Sequence, residues 1–410
     1  MRRWQQQVFV GQWVMAFLTA AGLAADWPQW RGPNRDGRTS GFAVPSTWPK
    51  ELTKKWSVSV GEGVATPALV AGRLYVFTRE GASEVLRCLD ATTGQEQWKE
   101  SYEEPPVIGP ASQFPGPRSS PTVAEGRVIT LGVSGTVGCV EAASGKVLWR
   151  KSRLADRPRF FTACSPLVRA GLVILQVGNE SGGGIVALNL ESGQEQWKWT
   201  GDGTAYSSPV LMTLEGMPLV IAETASKIVA LDLASGRQLW ETPFPVSGRG
   251  YNAATPIVSG QTLLYTGSSR GMRAVRLEKQ GEGVVAKELW SNSDSSVMYN
   301  TPVVKGDLVF GISERDVLFC VSLADGKTLW TTTLEGRGRL RGYGSVVDAG
   351  PVLAALNPAA QLTFFAPSDK AFTPLASYKV SDNETFAYPI LAGSHIYIKD
   401  RDSVILWTLP

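Results

Sequence analysis

The chain has 410 residues, 43% hydrophobic and 19% charged, a composition typical of a globular protein with a substantial core and not of a disordered chain. Forty Lys and Arg residues stand against 37 Asp and Glu residues, so the net charge is only +3. Because there is no strong positive field, we expect no nucleic-acid partner. The high counts are 43 Gly and 14 Trp, and repeated motifs contain many of them.

Residues 1–25 have the pattern of an export signal. A basic start, MRRWQQQ, precedes the apolar stretch VFVGQWVMAFLTAAGLA, and the small residues Gly22, Ala24 and Ala25 suit a signal peptidase. The alternative is an uncleaved anchor, since about 17 apolar residues is the lower limit for a spanning helix. Gln12 and the small residues favour cleavage. We therefore expect a periplasmic or secreted protein, with membrane contact only if the signal is kept.

Residues 26–50 form a short segment that begins with DWPQWRGPNRDG. It has three readings: an active-site motif, a metal loop or a brace. Asn34, Asp36 and Gly37 match a Ca²⁺ loop, but Gly32 stands at the first ligand position and no Glu lies six residues after Gly37. Because no chemistry in the segment is complete, we interpret it as a brace over the seam where the fold closes.

The rest of the chain, residues 51–410, carries two repeated motifs. The first is a hairpin with a turn Gly and a strand that opens on Trp, as in LDATTGQEQW, VEAASGKVLW, LNLESGQEQW, LDLASGRQLW and SLADGKTLW, with an expanded copy at 276–290. The second is a small residue followed by Pro at the entry of an apolar strand: Thr66-Pro67, Ser120-Pro121, Ser165-Pro166, Ser208-Pro209, Thr255-Pro256, Thr301-Pro302 and Tyr388-Pro389, with Gly344-Ser345 in the seventh place.

These landmarks recur at roughly 45 residues, which is typical of one four-stranded propeller blade. Eight landmarks predict an all-β, eight-bladed β-propeller of antiparallel blades in a single domain. After Tyr388 the chain has length for only three strands, so we predict that the N-terminal strand TKKWSVSV completes the last blade and closes the ring. Tyr378 stands where the seventh blade is expected to carry Trp.

The recurring Trp residues have two interpretations: stacking platforms for a flat cofactor, or large side chains that fill the gap between twisted blades. We favour the second, because one ligand cannot contact several symmetry-related sites at the outer strands.

The small-Pro strand entry followed by ALDxxTGxxxW resembles the pyrroloquinoline-quinone-like (PQQ-like) propeller repeat, over nearly all of the chain after residue 50. That superfamily contains quinoprotein alcohol dehydrogenases and non-enzymatic propellers of the BamB type, the scaffold lipoprotein of outer-membrane β-barrel assembly. The opening DWPQWRGPNRDG is similar to the start of a further set of secreted bacterial PQQ-like proteins. The resemblance implies the fold; it does not decide the function.

Dehydrogenases of this superfamily hold the quinone with Ca²⁺ or a lanthanide through Glu, Asn and Asp, and often cap it with a disulfide of adjacent cysteines. Cys88, Cys139, Cys164 and Cys320 are never adjacent, and we expect no disulfide; Cys164 is expected to be the one thiol near solvent at the axis. The single histidine, His395, excludes Ser-His-Asp catalysis and multi-His metal sites. We predict no catalytic residues, no metal site and no cofactor, with PQQ and Ca²⁺ as the alternative.

The loops that lead into the innermost strands converge on one face, so a ligand face is expected there. An aromatic residue recurs in them, at Phe161, Tyr206, Tyr251, Tyr299, Tyr343 and Phe386, with arginines nearby. The candidate ligand-face residues are Arg118, Arg159, Tyr206, Arg249, Tyr251, Tyr299, Arg341 and Tyr343. They suit a small acidic ligand or an acidic peptide. The alternative is that each Tyr only plugs the channel, while Arg pairs with Asp202, Glu335 or Asp382.

Two functions remain open. The first, which we favour, is a monomeric, non-catalytic scaffold that binds a protein partner or a small acidic ligand on the loop face. The second is a PQQ-dependent alcohol or sugar dehydrogenase.

Overall fold

The computed structural model describes residues 26–246, 250–336, 338 and 340–410. The predicted signal segment lies outside them. The strands, in chain order, are β1 Thr53–Ser59, β2 Ala68–Val70, β3 Arg73–Glu80, β4 Ser83–Asp90, β5 Glu96–Glu103, β6 Thr122–Ala124, β7 Arg127–Leu131, β8 Val137–Glu141, β9 Val147–Lys151, β10 Leu167–Arg169, β11 Leu172–Gly178, β12 Gly183–Asn189, β13 Glu195–Trp199, β14 Val210–Leu214, β15 Met217–Glu223, β16 Lys227–Asp232, β17 Gln238–Pro243, β18 Ile257–Ser259, β19 Thr262–Thr266, β20 Met272–Gln280, β21 Gly283–Asn292, β22 Val303–Lys305, β23 Leu308–Ile312, β24 Val317–Ser322, β25 Thr328–Thr333, β26 Ser345–Asp348, β27 Leu353–Leu356, β28 Gln361–Ala366, β29 Thr373–Lys379, β30 Ile390–Ala392, β31 His395–Lys399 and β32 Ser403–Thr408. One short 3₁₀ helix, Gly109–Gln113, precedes β6.

The strands form eight antiparallel sheets of four, each running from an inner to an outer strand. Blades 1 to 7 take consecutive strands from β2 to β29, and blade 8 has the order β1-β32-β31-β30. Thr53 of β1 pairs with Thr408 and Ser59 with Ser403, so the N-terminal strand is the outer strand of the last blade. The predicted eight-bladed propeller and its closure by an N-terminal strand are therefore confirmed.

The repeated Trp side chains join each blade to the next. Trp98, on the outer strand of blade 1, lies over the turn of blade 2: a Cβ on Gly145 would be 2.5 Å from Cε3 of its ring, and Nε1 donates to the carbonyl oxygen of Ala142 at 3.2 Å. The same donation to the next blade recurs for Trp56, Trp149, Trp197, Trp290 and Trp330. The Trp residues therefore fill the gaps between blades.

In blades 1 to 6, a small residue on the third strand stands opposite the Trp of the outer strand. Cys88 pairs with Trp98, and the same register places Cys139, Cys320, Ala187, Ala230 and Ala274 opposite their own Trp. The four cysteines are free and buried. Three of them are thus small packing residues.

In blade 7 the large and the small residue of this pair have exchanged strands. Phe364 stands at the small-residue position and Ala376 at the Trp position. The pair adjoins the same β-bulge that lies next to the Trp pair in the other blades. The sequence pattern placed Tyr378 at the Trp position, but Tyr378 lies two residues further on. Its hydroxyl donates to the carbonyl oxygen of Pro49 at 2.8 Å. The large ring of Phe364 is covered by Phe42 and Trp48 of the N-terminal segment. Blade 7 thus keeps one large and one small residue in this pair, but on exchanged strands.

The N-terminal segment reaches further than the predicted brace. Its second half, residues 42–49, does pack on blades 7 and 8, where Phe42 bridges to Gly393. Its first half crosses the propeller axis. Trp27, which is fully buried, pairs with Leu69 of blade 1, and Pro28 accepts a hydrogen bond from Val123 of blade 2.

Arginines fix the crossing at blades on opposite sides of the ring. Arg35 donates to the carbonyl oxygens of Ser165 and Pro166 in blade 3. Arg31 donates to those of Thr301 and Pro302 in blade 6. Residues 26–38 therefore lie across the channel as a plug, which we call the N-terminal plug.

Candidate functional site

An axial cavity of about 340 Å³ lies between the strand-entry loops and the N-terminal plug. The loops supply its upper wall, the strand-entry landmarks its middle and Trp30 of the plug its floor. Its lining residues are Trp30, Val64, Thr66, Pro110, Ala111, Gln113, Phe114, Arg118, Ser120, Phe160, Ala163, Tyr206, Ser208, Tyr251, Ala253, Thr255, Tyr299, Asn300, Thr301, Leu340, Tyr343, Gly344, Phe386 and Tyr388. The volume lies at the lower end of the range for small-molecule sites.

The upper wall consists of two arcs of aromatic side chains in contact. One arc joins Phe160, Tyr206 and Tyr251, with ring centroids 4.9 to 6.3 Å apart. The other runs from Phe114 through Phe386 and Tyr343 to Tyr299, with neighbouring centroids 4.5 to 5.2 Å apart. These edge-to-face and stacked contacts hold the rings in place, so the wall is built before any ligand arrives.

Burial keeps the hydroxyls of Tyr206 and Tyr343 in this wall neutral. The hydroxyl of Tyr206 donates to Glu180 Oε1 at 2.8 Å and accepts from the main-chain N–H of Phe160. Burial raises the pKa of Tyr206 above its ordinary value, and burial also raises the pKa of Tyr343 to about 12. Both phenols therefore remain protonated at neutral pH; the proton of Tyr206 is donated to Glu180, and the hydroxyl of Tyr343 can donate to a ligand.

Arg118 is the charged side chain of the cavity wall. Its Nη2 donates to the carbonyl oxygens of Phe114 at 2.8 Å and Ala111 at 3.3 Å, while its buried Nη1 has no hydrogen-bond partner among the described residues. Burial lowers the pKa of the guanidinium below its usual value, but an arginine stays charged at physiological pH. None of the described lining residues is acidic.

A belt of hydrogen bonds surrounds the middle of the cavity. At each strand entry the main-chain N–H donates to the landmark hydroxyl of the next blade, at 2.9 to 3.1 Å, from Thr66 through Ser120, Ser165, Ser208 and Thr255 to Thr301. The main-chain N–H of Tyr388 donates to the hydroxyl of Thr66, so the belt also crosses from blade 8 to blade 1. Blade 7 has Gly344 at the equivalent position and supplies no hydroxyl there. The recurrent small residue before Pro thus ties neighbouring inner strands together.

The floor of the cavity is a cationic and aromatic stack. The guanidinium of Arg31 lies 5.6 Å from the rings of both Trp30 and Tyr388, and that of Arg35 lies 5.6 Å from Trp30. Arg31 is 1% exposed and donates to five acceptors: the carbonyl oxygens of Arg35, Asp36, Thr301 and Pro302 and the hydroxyl of Tyr388. The plug is therefore held rigidly against the inner strands.

The structure brings five of the eight predicted ligand-face residues to the cavity: Arg118, Tyr206, Tyr251, Tyr299 and Tyr343. Arg159 and Arg341 are exposed and do not line it; Arg159 stacks on Phe160 at 5.5 Å. Arg249 falls outside the described residues. Asp202 accepts from Thr224 and Ser226, so it serves a turn.

Two expectations about the third blade are wrong. Phe161 does not face the axis: it is buried with Val107, Ala111 and Val133, and Phe160 lines the cavity instead. The apolar cluster takes up the ring of Phe161, whose backbone is left-handed with φ 65°. Cys164 does not see solvent. It is 1% exposed, its Sγ accepts from the N–H of Gln176, and burial raises its pKa to about 11.

Several lining residues were not singled out by the sequence pattern as part of a site. Phe114 belongs to an irregular loop without a repeat partner. Trp30 reaches the axis only because the plug crosses it. The landmark hydroxyls were visible as a repeat, and the rule that buried hydroxyls find hydrogen-bond partners could have predicted their belt.

The Ca²⁺ that accompanies the quinone in dehydrogenases of the superfamily does not fit this lining. Ca²⁺ prefers carboxylate and carbonyl oxygens, and the described lining residues include no carboxylate. Elsewhere in the described part of the chain, no group of three or more His, Cys, Asp or Glu side chains could hold a metal ion. The cavity chemistry is that of an aromatic, hydroxyl-lined pocket with one guanidinium.

Comparison with known families agrees with this architecture. Residues 82–332 match a family model described as outer membrane protein assembly factor BamB. The chain belongs to this family. It is a PQQ-like β-propeller.

Two BamB relatives match over most of their length. The assembly factor BamB of Burkholderia pseudomallei is 24% identical over 374 residues, which cover 88% of this chain and 88% of that protein. The crystal structure of BamB from Moraxella catarrhalis superposes with a TM-score of 0.62 at 16% identity, over 87% of this chain and 98% of that one.

A dehydrogenase relative matches in the propeller alone. Quinohemoprotein alcohol dehydrogenase of Comamonas testosteroni is 29% identical over 191 residues, 44% of this chain but 26% of that protein. A crystal structure of the same name and organism has a TM-score of 0.70 at 15% identity, over 93% of this chain and 80% of that one. The structural likeness shows the shared fold only.

For residues 26–410 apart from the five undescribed positions, no helix has the length and hydropathy needed to cross a bilayer.

Proposed function

We propose that this protein is an exported, monomeric, non-catalytic scaffold that binds a protein of outer-membrane assembly through its strand-entry loops. The observation that carries the proposal is the coverage of the relatives. The sequence match covers 88% of a protein named as an assembly factor, and the superposition covers 98% of a BamB chain but 80% of a dehydrogenase chain. A scaffold of the same extent as BamB accounts for this better than a reduced dehydrogenase.

The part of the loop face around Ile108 has the features of a protein-binding surface. Ile108 is 60% exposed and is followed directly by the 3₁₀ helix Gly109–Gln113. Beneath it, Val107 and Ala111 pack with Val133 and Phe161 in a small buried cluster. An exposed apolar side chain on a rigid base is typical of an interface anchor.

Arginines lie beside this anchor. Arg157 lies 4.7 Å from the ring of Phe161, and Arg159 lies 5.5 Å from that of Phe160; both are exposed. Arginine is enriched in interfaces because its planar guanidinium can bond and stack at once. An apolar anchor with neighbouring arginines fits a partner that offers an apolar pocket with acidic residues at its rim.

The substitution Ile108→Glu tests the face directly. We expect binding to outer-membrane assembly proteins of the same host to weaken about tenfold or more, because an apolar anchor is replaced by a charge. The matched control is Leu375→Glu on β29, which is also exposed, at 38%, but lies on the outer strand of blade 7. Equal binding by both variants and the unchanged protein, in a surface-capture assay, would overturn the proposed face.

We also propose that the scaffold works without a redox cofactor. The support is the lining of the cavity, which offers aromatic rings, hydroxyls and a guanidinium in place of carboxylate ligands. Incubation of the purified protein with PQQ and either Ca²⁺ or a lanthanide should give neither tight binding nor dye-linked oxidation of alcohols. Turnover in this assay would establish the dehydrogenase alternative.

A further inference from the structure

The axial cavity holds a positive charge without a counter-charge. Arg118 is bound only to main-chain carbonyl oxygens, and its Nη1 is unpartnered among the described residues. Glu84 is a carboxyl group near enough to act on Arg118, but it accepts hydrogen bonds from the Tyr102 hydroxyl and the Val133 N–H and does not line the cavity. A desolvated cation in such surroundings is unfavourable until an anion pairs with it.

The walls around this charge are apolar and preformed. The two aromatic arcs and the floor residue Trp30 enclose about 340 Å³, enough for a small organic molecule but not for a folded segment. Ala163 and Ala253 occupy equivalent positions before the strand entries and leave the space between the arcs open. The body of a ligand that fills this space is therefore apolar and is best planar, since flat faces stack on aromatic rings.

Hydrogen-bond donors are concentrated at the wall. The hydroxyls of the belt accept main-chain N–H groups, so their own protons are free to point to a ligand oxygen. With Arg118 and the hydroxyl of Tyr343, the cavity offers donors at several points and one full positive charge. That combination selects a single anionic group over a neutral or cationic one.

We propose that the axial cavity binds a small monocarboxylate with an apolar, planar body, whose carboxylate contacts Arg118 and whose body lies between the aromatic arcs above Trp30. The strand-entry loops contribute both to this site and to the proposed partner face, but the anchor Ile108 does not itself line the cavity. Ligand binding and partner binding are therefore measured with different variants, and either proposal can fail while the other holds.

Calorimetric titration with phenylacetate tests the site. Phenylacetate should bind, while phenylacetamide, which has the same body without the charge, and acetate, which has the charge without the body, should bind at least tenfold more weakly. Arg118→Gln should weaken phenylacetate binding about 10- to 100-fold, as expected for the loss of a charge-assisted contact. Arg237→Gln, at an exposed outer turn, is the matched control and should leave binding unchanged.

A second variant tests the cavity in case Arg118→Gln fails to fold. Ala253→Phe places a ring in the open cavity without touching the guanidinium, and it should abolish binding while the melting temperature stays the same or rises. The proposal is overturned by no phenylacetate binding at millimolar concentration, by equal binding of phenylacetate and phenylacetamide, or by binding that survives both Arg118→Gln and Ala253→Phe.

Discussion

The turn glycines are the residues at which the repeat is most sensitive to change. Gly145 has φ 75°, and an added Cβ would lie 2.5 Å from the ring of Trp98 in the preceding blade. Gly145→Ala should therefore cost both the backbone strain of the left-handed region and the displacement of an inter-blade ring. We expect a loss of about 2–4 kcal/mol in the free energy of unfolding, measured by urea denaturation.

The same blade offers a control that isolates the backbone part. Gly126 has φ 71°, but an added Cβ would have no neighbour within 4 Å. Gly126→Ala should lose only about 1 kcal/mol. Equal losses for the two variants would show that the Trp contact adds nothing to the joint between blades.

Glu84 makes stability depend on pH. Burial raises the pKa of its carboxyl group to about 7, although the Tyr102 hydroxyl at 2.5 Å and the Val133 N–H at 2.7 Å stabilise the charged form. The folded state therefore holds a proton that the unfolded state releases near its ordinary pKa of about 4.3. This contribution is present below about pH 4 and is lost as the pH rises to about 7.

Glu84→Gln removes that titration. Between pH 5 and pH 7, the free energy of unfolding of the unchanged protein should fall relative to that of the variant, by about 1–3 kcal/mol. Urea denaturation at the two pH values measures the difference. Lys399, whose pKa burial lowers to about 7, is present in both proteins and cancels in the comparison. Parallel pH profiles would contradict the assignment of this proton to Glu84.

The N-terminal plug is the element that holds opposite sides of the ring together. Arg31→Met should lower the free energy of unfolding by about 3 kcal/mol, because buried carbonyl oxygens of blade 6 lose their donor. Arg38 also donates to blade 6, at Val304, but its side chain is 46% exposed. Arg38→Met should therefore cost about 1 kcal/mol or less. Thermal and urea unfolding should rank the two variants in this order, and the reverse order would show that the plug is not fixed through Arg31.

Elements outside the repeat were the harder part to predict. The length and Trp content of residues 26–50 indicated a packed segment, but its path across the axis depends on Arg31 and Arg35 reaching main-chain carbonyls, which no sequence pattern marks. In blade 7 Ala376 stands at the Trp position and Phe364 at the small-residue position, so the large side chain is on the third strand instead of the fourth. The repeat pattern identifies the fourth strand by its Trp and cannot detect a large residue that has moved to the third strand. The pattern therefore placed Tyr378 at a position that Ala376 occupies.

At the scale of the whole molecule, periodicity made the fold predictable. Blades 1 to 6 repeat a hairpin with a turn Gly and a Trp, and eight strand-entry landmarks together predict the number of blades and the closing strand. The axial position of the tyrosines followed from the same symmetry. The finer features of the cavity did not, because the positive φ at Phe161 and the unpaired state of Arg118 depend on tertiary contacts.

The most direct test of the scaffold function is photo-crosslinking in the living host. A photoreactive amino acid at Ile108 should form an adduct with a protein of the outer-membrane assembly apparatus, and the same amino acid at Leu375 on the outer strand of blade 7 should not. Both positions are exposed, so reactivity alone cannot separate them. Adducts at Leu375 but not at Ile108, or at neither position, would contradict the account.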